Sequence, residues 1–208
     1  HGVNQALFAG GIRKVRVFQG VYPDWRGLRF LWRVASRKDD TLLRAIAGEI
    51  ERDGIEVIGA HLVLEECVAR YGYLTSRRLS RQEQVDARIG WEAAKASGAL
   101  DIGQAVAVGK GIVVAVEAVE GTDAMLVRAG SLAGHGLVLV KVAKPTQDLR
   151  LDLPAIGSAT ITRCKEIGVT AIVLEADKAL LLEAARLLEL AEEAGIAVVA
   201  VRALKDLE

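Results

Sequence analysis

The chain has 208 residues, of which 27 are basic, 27 acidic and 51% hydrophobic. The balanced charge provides no overall field that would favour nucleic acid, and the length allows one or two domains with a substantial core. Cys67 and Cys164 lack metal-ligand spacing, which indicates free thiols in a reducing compartment. No apolar run reaches the length of a transmembrane helix. These features predict a globular, cytoplasmic protein.

The first 36 residues contain a short strand candidate, Val15–Gly20, and a helical stripe of apolar residues from Trp25 to Ala35 flanked by arginines. Such a helix can pack its stripe into a core, or it can lie on an acidic membrane surface or contact a diphosphate. The pattern leaves both interpretations open. Residues 36–40 contain no apolar side chain and are predicted to be a linker.

The rest of the chain alternates between helical and strand patterns. A helix is predicted over Asp40–Asp53, and the pattern Ser80-x-x-Glu83 is a capping box that begins another helix, expected to end at Gly98. Two further helix–glycine–strand units complete the sequence. This order predicts an α/β fold with a largely parallel sheet, flanking helices and one β-hairpin, whose turn is Gly109-Lys110-Gly111.

The second strand of the hairpin carries carboxylates where an apolar pattern should continue. Glu117 shares a strand face with Val113 and Ala115, and Glu120 falls on the opposite face. A carboxylate on an apolar face is costly unless it is paired, protonated or bound to a metal. The alternative interpretation is that both glutamates are surface residues of an edge strand.

The segment that follows predicts a strand-to-helix turn. Thr122 or Asp123 can cap a helix over Ala124–Leu132, which would place Asp123 beside free backbone N–H groups where α/β sheets bind ligands. The alternative is that Asp123 is only a structural cap.

A second group of charges follows the next apolar strand. Lys141 lies on the face of Leu137 and Leu139, and Lys144 precedes a proline that breaks the strand. In 148–153 charged residues alternate with leucines, so Asp148, Arg150 and Asp152 are predicted to lie on one side of a strand. Carboxylates suit Mg²⁺ or Mn²⁺ and basic groups suit phosphate, although a solvated ion triad would give the same pattern.

Two long motifs, AVEAVEGTDAM and KVAKPTQDLRLDLPAIG, resemble the signature of the LpxI family of UDP-2,3-diacylglucosamine diphosphatases, which act in bacterial lipid A biosynthesis. The similarity extends back through DDTLLRAIAGEIERDGIEVIGAH and forward to the end of the chain. The resemblance implies metal-dependent hydrolysis of UDP-2,3-diacylglucosamine to UMP and 2,3-diacylglucosamine 1-phosphate (lipid X), with Mg²⁺ or Mn²⁺. It also implies an N-terminal Rossmann-like domain, of which residues 1–36 look like the tail, and a catalytic domain over 38–208.

The site residues combine these patterns with the resemblance. Asp123 is predicted to hold the metal or to orient the attacking water. The other candidate metal or outer-sphere carboxylates are Glu117, Glu120, Asp148 and Asp152. The basic candidates for the diphosphate are Lys141, Lys144 and Arg150. The polar candidates for substrate binding are Gln104, Gly121, Thr122 and Gln147.

Peripheral contact with the inner membrane and a homo-oligomer are further expectations, and nucleic acid is not expected as a partner. The competing hypothesis is a non-catalytic module that binds a nucleotide or a phospholipid and keeps only the phosphate site.

Overall fold

The computed structural model of this chain describes residues 2–8 and 39–207. The predicted strand Val15–Gly20, the predicted helix from Trp25 to Ala35 and most of the predicted linker lie outside these residues. The chain divides into two compact units: the first contains residues 1–63 and 148–152, and the second contains 64–147 and 153–208. The domain boundary at about 36–40 stays a prediction, because it falls largely on residues outside the description.

The first unit is organised around a short parallel strand pair. Strand β1 (Gln5–Leu7) pairs with β2 (Glu56–Ile58), and helix α1 (Asp39–Arg52) precedes β2. The helix matches the predicted range to within one residue at each end. A short helix, α2 (Ala60–Val63), follows β2. A small core joins these elements and contains Phe8, Leu43, Ala47, Ile50, Val57 and Leu151.

The second unit contains the larger set of elements. Its strands are β3 (Gly72–Tyr73), β4 (Ala105–Gly109), β5 (Ile112–Val116), β6 (Leu137–Lys141), β7 (Ala155–Ile156), β8 (Val169–Glu175), β9 (Leu180–Leu181) and β10 (Ala197–Val201). Its α-helices are α3 (Arg81–Ala99), α4 (Thr122–Ala133), α5 (Ser158–Ile167) and α6 (Ala184–Glu193). Short 3₁₀ turns cover Glu65–Cys67 and Leu204–Leu207.

Six strands form the central sheet in the order β3-β10-β8-β6-β4-β5, while β7 and β9 make a separate parallel pair. Strands β6, β8 and β10 are parallel neighbours. Strand β4 is antiparallel to both β6 and β5, so β5 runs in the same direction as β6. Four of the six strands therefore share one direction, and the prediction of an α/β fold with a largely parallel sheet and one hairpin is confirmed.

Alternate strand residues pack against helices on opposite faces of the sheet. On one face, Trp91 and Ala94 of α3 pack with Val106, Val140 and neighbouring apolar residues. On the other face, α4, α5 and α6 cover a core that includes Leu139, Ile172 and Val198. The period-two alternation of strands and the helices on both faces follow from the apolar runs in the sequence.

The helix and hairpin signals have the predicted local structure. Ser80 and Glu83 form a reciprocal capping box at the start of α3. The hairpin turn places Lys110 and Gly111 at positive φ, as a tight two-residue turn requires. The buried carboxylate of Asp86 accepts hydrogen bonds from both of their backbone N–H groups, at 3.1 and 2.6 Å. Packing of α3 against the hairpin therefore fixes the turn.

None of the helices within the described ranges combines the length and the hydrophobicity needed to cross a membrane.

Candidate functional site

One edge of the central sheet gathers the ends of several strands. Because β4 is antiparallel to β5 and β6, its first residue, Ala105, lies beside the last residues of both neighbours. Ala105 pairs with Lys141, and its carbonyl accepts a 2.8 Å hydrogen bond from the backbone N–H of Glu117. Val142 donates its N–H to the carbonyl of Gln104 at 3.0 Å. The strand ends thus bring together Gln104, Glu117 and Lys141, which are far apart in sequence.

Lys141 ends β6 and is 7% exposed. Its side chain lies on the face of Leu137 and Leu139, as the alternation predicts. The ammonium donates hydrogen bonds to the hydroxyl of Thr122 and to the carbonyl of Ala155, both at 2.9 Å. A buried ammonium is stable only with such partners, so Lys141 holds the beginning of α4 close to the segment that precedes α5.

Glu117 follows β5 and is 9% exposed. Its Oε1 accepts a 2.7 Å hydrogen bond from the hydroxyl of Thr122, and its Oε2 accepts a 3.2 Å bond from the backbone N–H of Gln104. Gly103, which precedes Gln104, lies so close to the backbone of Glu117 that a Cβ at position 103 would be 2.0 Å from the carbonyl oxygen of Glu117. A side chain at position 103 would therefore separate the strands that bring Gln104 and Glu117 together.

Helix α4 begins at Thr122 without a side-chain cap. Gly121 occupies the N-cap position at φ +83°, and the prediction that Thr122 or Asp123 caps the helix is wrong. The Thr122 hydroxyl already bonds Glu117 and Lys141 and is not spent on the helix backbone. Gly121 can supply the positive φ at the N-cap because it has no Cβ.

Asp123 is in the first turn of α4 and is exposed. Its carboxylate has no hydrogen bond or ion pair to the described residues. Burial, with a smaller contribution from the charge of Asp123, raises the pKa of the Cys164 thiol to about 12. Cys164 is therefore a buried neutral thiol, and Asp123 is a carboxylate open to a ligand at a helix N-terminus.

Glu120 does not join Glu117. It forms a 2.6 Å ion pair with Arg128, which also donates to the carbonyl of Val116. A hydrogen bond from its own backbone N–H, followed by that of Arg128, keeps the pKa of Glu120 below its usual value. Its ion pair attaches the β5–α4 turn to helix α4. This contact resembles the alternative interpretation, in which Glu120 is a surface residue.

Lys144 lies three residues beyond β6 and pairs with Asp101 at 2.5 Å. Its backbone N–H donates to Oε1 of Gln147 at 2.8 Å. Both side chains of the ion pair are largely buried, so this predicted basic residue is held firmly at the same end of the sheet.

A second buried ion cluster at this end was not predicted. Glu175 ends β8, is 4% exposed, and accepts hydrogen bonds from Lys95 at 2.6 Å, Lys178 at 2.9 Å and the backbone N–H of Ala143 at 2.9 Å. The signal for it in the sequence is the one that marks Glu117, an acid that closes an apolar strand. Its strand parity places it on the face covered by α3, which supplies Lys95.

The buried side-chain polar atoms without a hydrogen-bond partner among the described residues include Oε1 of Gln104, beside Glu117, and Oγ of Ser158, at the start of α5. Gln104 was predicted as a polar candidate for substrate binding, whereas Ser158 was not. Its hydroxyl makes no capping bond, since the N-cap of α5 is Gly157.

The remaining predicted site residues belong to the first unit. Residues 148–151 form a turn, so the predicted alternating strand is wrong. The Asp148 carboxylate accepts a 3.1 Å hydrogen bond from the backbone N–H of Arg150, which is the local bond that favours a turn over a strand. Leu151 and Asp152 donate their N–H groups to the carbonyl of Asp148.

Arg150 is held between two carboxylates. It binds Asp148 through two nitrogens, at 3.1 and 2.8 Å, and Glu51 at 2.8 Å. The Arg150 guanidinium lowers the pKa of Asp148, and the Asp148 carboxylate raises the pKa of Arg150. This ion triad fits the alternative interpretation of the pattern. The proposed roles of Asp148, Arg150 and Asp152 toward a metal or a phosphate stay predictions.

Within residues 2–8 and 39–207, no three His, Cys, Asp or Glu side chains form a group that could hold a metal ion. In the second unit, Glu117 is bonded to Thr122 and Glu120 to Arg128. Asp123 forms no hydrogen bond with either glutamate. From the sequence we predict that Glu120, Asp123 and at least one of Asp148 or Asp152 share one cation; these residues belong to different units, and this stays a prediction.

The chain is thus an α/β protein with acidic and basic side chains at one end of its central sheet, where the strands terminate. Open α/β sheets bind ligands at this position. Family models match almost the whole chain: the LpxI N-terminal domain over residues 1–67 and the LpxI C-terminal domain over residues 70–199. The chain therefore belongs to the LpxI family.

A curated relative supports the same assignment. The chain is 39% identical to the UDP-2,3-diacylglucosamine pyrophosphatase LpxI of Caulobacter vibrioides over 211 residues, which cover 96% of this chain and 75% of the relative. The resemblance stated from the two sequence motifs is confirmed, and so is the prediction of an enzyme family.

Proposed function

We propose that this protein hydrolyses the diphosphate of UDP-2,3-diacylglucosamine, releasing UMP and 2,3-diacylglucosamine 1-phosphate, as a step of lipid A biosynthesis. The observation that carries the proposal is the identity of 39% over 96% of the chain with a pyrophosphatase named for this substrate. The side chains at this end of the sheet, here called the strand-end site, support the proposal. Lys141, Lys144 and the exposed carboxylate of Asp123 supply the charges that phosphoryl chemistry needs.

In the proposed reaction, water adds to one phosphorus of the diphosphate and the bridging oxygen leaves with the other phosphorus. The two products are phosphate monoesters, and the proton lost by the water passes to solvent. Asp123 orients the water or holds a metal ion, and its position at the start of α4 is compatible with either role. Lys141 and Lys144 balance the negative charge that develops on the phosphoryl oxygens.

The residues fit a metal ion that arrives with the substrate. Mg²⁺ is commonly held by one or two carboxylates together with substrate phosphates and retained waters. Asp123, exposed and without a described protein partner, is suited to that role. Mg²⁺ or Mn²⁺ would draw charge from the diphosphate and favour attack by water. Glu120, Asp148 and Asp152 are the further proposed ligands or outer-sphere groups.

Because the substrate of the relative carries two acyl chains, we propose peripheral contact with the inner membrane and catalysis on its cytoplasmic side. A homo-oligomer stays a prediction.

The test is UMP release from UDP-2,3-diacylglucosamine by the purified protein with Mg²⁺, with Mn²⁺ and with EDTA. The proposal predicts turnover with either metal and its loss in EDTA. Turnover that survives EDTA would overturn the metal requirement alone. Saturable binding of the substrate without UMP release would instead favour the non-catalytic binding module.

A further inference from the structure

Thr122 lies between two charged groups at the strand-end site. Its Oγ1 is 2.7 Å from Oε1 of Glu117 and 2.9 Å from Nζ of Lys141. Glu117 directly follows β5, Lys141 ends β6, and β4 lies between these two strands in the sheet. The hydroxyl therefore links two side chains that the sheet itself holds two strands apart.

The direction of this link is fixed by the number of hydrogens available. An ammonium only donates, an ionised carboxylate only accepts, and a hydroxyl has one hydrogen. The Thr122 hydrogen must therefore point to Glu117, and a lone pair of its oxygen faces Lys141. The other oxygen of Glu117 accepts a hydrogen bond from the backbone N–H of Gln104.

The hydroxyl has no other described task. The N-cap of α4 is Gly121, which makes no side-chain capping bond, and the hydroxyl of Thr122 does not bond the helix backbone. Removing it should leave the helix start in place. The hydrogen-bonded chain Glu117–Thr122–Lys141 can thus be broken by a substitution that removes no charge.

We propose that Thr122 is a positioning residue: held by Glu117, it orients the ammonium of Lys141 toward a phosphoryl oxygen of the diphosphate. The inference rests on the proposed function for the identity of the ligand, but not for the geometry of the chain. It gives Glu117 a role in orienting Lys141 through Thr122, in place of the predicted metal ligand.

The experiment compares Thr122→Val, which keeps the shape and loses the hydroxyl, with Thr122→Ser, which keeps the hydroxyl. Two readouts are taken: kcat and KM for UMP release, and the ¹⁵N-detected signal of the Lys141 ammonium, assigned with Lys141→Met. A lost charge-assisted hydrogen bond predicts a kcat lower by roughly tenfold to hundredfold in Thr122→Val, with KM changed much less. The Lys141 signal should move or broaden in the valine variant, and serine should restore both readouts.

An unchanged Lys141 signal in Thr122→Val would overturn the inference whether or not the protein turns over the substrate. A changed signal with unchanged kcat would show that the chain exists but does not serve the reaction, and would also overturn it. If the wild type releases no UMP, the proposed function fails, while the ammonium signal still tests the geometry.

Discussion

The two ends of the central sheet both bury carboxylates, yet the partners of those carboxylates differ. At the hairpin end, Asp86 is 1% exposed and accepts hydrogen bonds from two backbone N–H groups of the turn and from the amide of Gln82. Each donor belongs to an element that the fold must hold in place. The charge of Asp86 is therefore balanced by donors that belong to the hairpin turn and to α3.

Glu83, at the same end, is similarly occupied. It is 5% exposed and bonds Arg77, Thr170 and the capping serine, Ser80. Burial acts to raise the pKa of Glu83, but these hydrogen bonds outweigh it and hold the pKa below the usual value of 4.5. Because its pKa is lower in the folded than in the unfolded state, Glu83 stabilises the fold at pH values above the pKa of the unfolded state. This stabilisation is lost as the pH falls through the pKa of the folded state.

At the opposite end, Glu117 accepts one hydrogen bond from the backbone N–H of Gln104 and one from the hydroxyl of Thr122, which in turn accepts from the ammonium of Lys141. Asp123, a few residues along the chain, is exposed and has no described partner. The partners therefore differ: Asp86 and Glu83 bond groups of the turn, of the helix start and of β8, whereas Glu117 bonds a hydroxyl that also accepts from Lys141. Under the proposed function, this link to a lysine is what distinguishes the two ends of the sheet.

The largest effect is expected for Asp123→Asn. The change keeps the size of the side chain but removes the charge that a divalent cation or an attacking water would use. We expect UMP release to fall by roughly a hundredfold or more, the scale for loss of a charged or acid–base catalytic group. Because Asp123 is not the N-cap, the thermal unfolding midpoint should change little.

Near-normal turnover of Asp123→Asn would remove this carboxylate from the mechanism and would make the two ends of the sheet more alike. A large loss of substrate binding would also disagree with the account, since the basic groups that contact the diphosphate are unchanged. Isothermal titration with the substrate in EDTA separates these outcomes.

A smaller but clear effect is expected for Lys141→Met. Methionine retains the apolar stem of the side chain and removes the ammonium, so activity should fall by roughly tenfold to hundredfold, as for one lost charge-assisted hydrogen bond. Stability should fall less than activity. The matched control is Lys165→Met, on the exposed surface of α5, which should leave both unchanged. Equal losses of activity and stability in Lys141→Met would show a purely structural lysine.

The smallest effect on activity is expected for Asp86→Asn. Asparagine offers one acceptor oxygen and places an amide donor against N–H groups, so the free energy of unfolding should fall by about 1–3 kcal/mol. Urea unfolding measures this loss. Activity per folded molecule should be unchanged, because the hairpin turn lies at the far end of the sheet. A fall in kcat at low denaturant would show that the two ends are coupled.

Much of the second unit was predictable because its signals are local. The capping box of Ser80 and Glu83, the turn at Lys110 and Gly111, and the placement of Lys141 on the face of Leu139 all follow from spacing and strand parity. The charged residues at the strand ends were identified by the same parity. Their partners were not, because hydrogen bonds between strands depend on the order of the sheet.

The errors have local physical causes. Gly98 was expected to end α3, whereas the helix continues to Ala99; a Cβ at Gly98 would lie 3.2 Å from the Cα of Lys144, so the glycine allows close packing there. Alternating leucines indicated a strand at 148–153, whereas the side chain of Asp148 stabilises a turn. In this segment one local hydrogen bond outweighs a pattern of several residues.

The most direct test of the difference between the two ends is a matched pair of substitutions, Glu117→Gln and Glu83→Gln, with kcat and the free energy of unfolding measured on the same samples. Each change neutralises a buried glutamate, so both variants should lose about 1–3 kcal/mol of stability. Only Glu117→Gln should lower kcat at a temperature where both variants are folded, because only Glu117 is linked to Lys141. Equal kcat values in the two variants, or a larger loss in Glu83→Gln, would contradict the account.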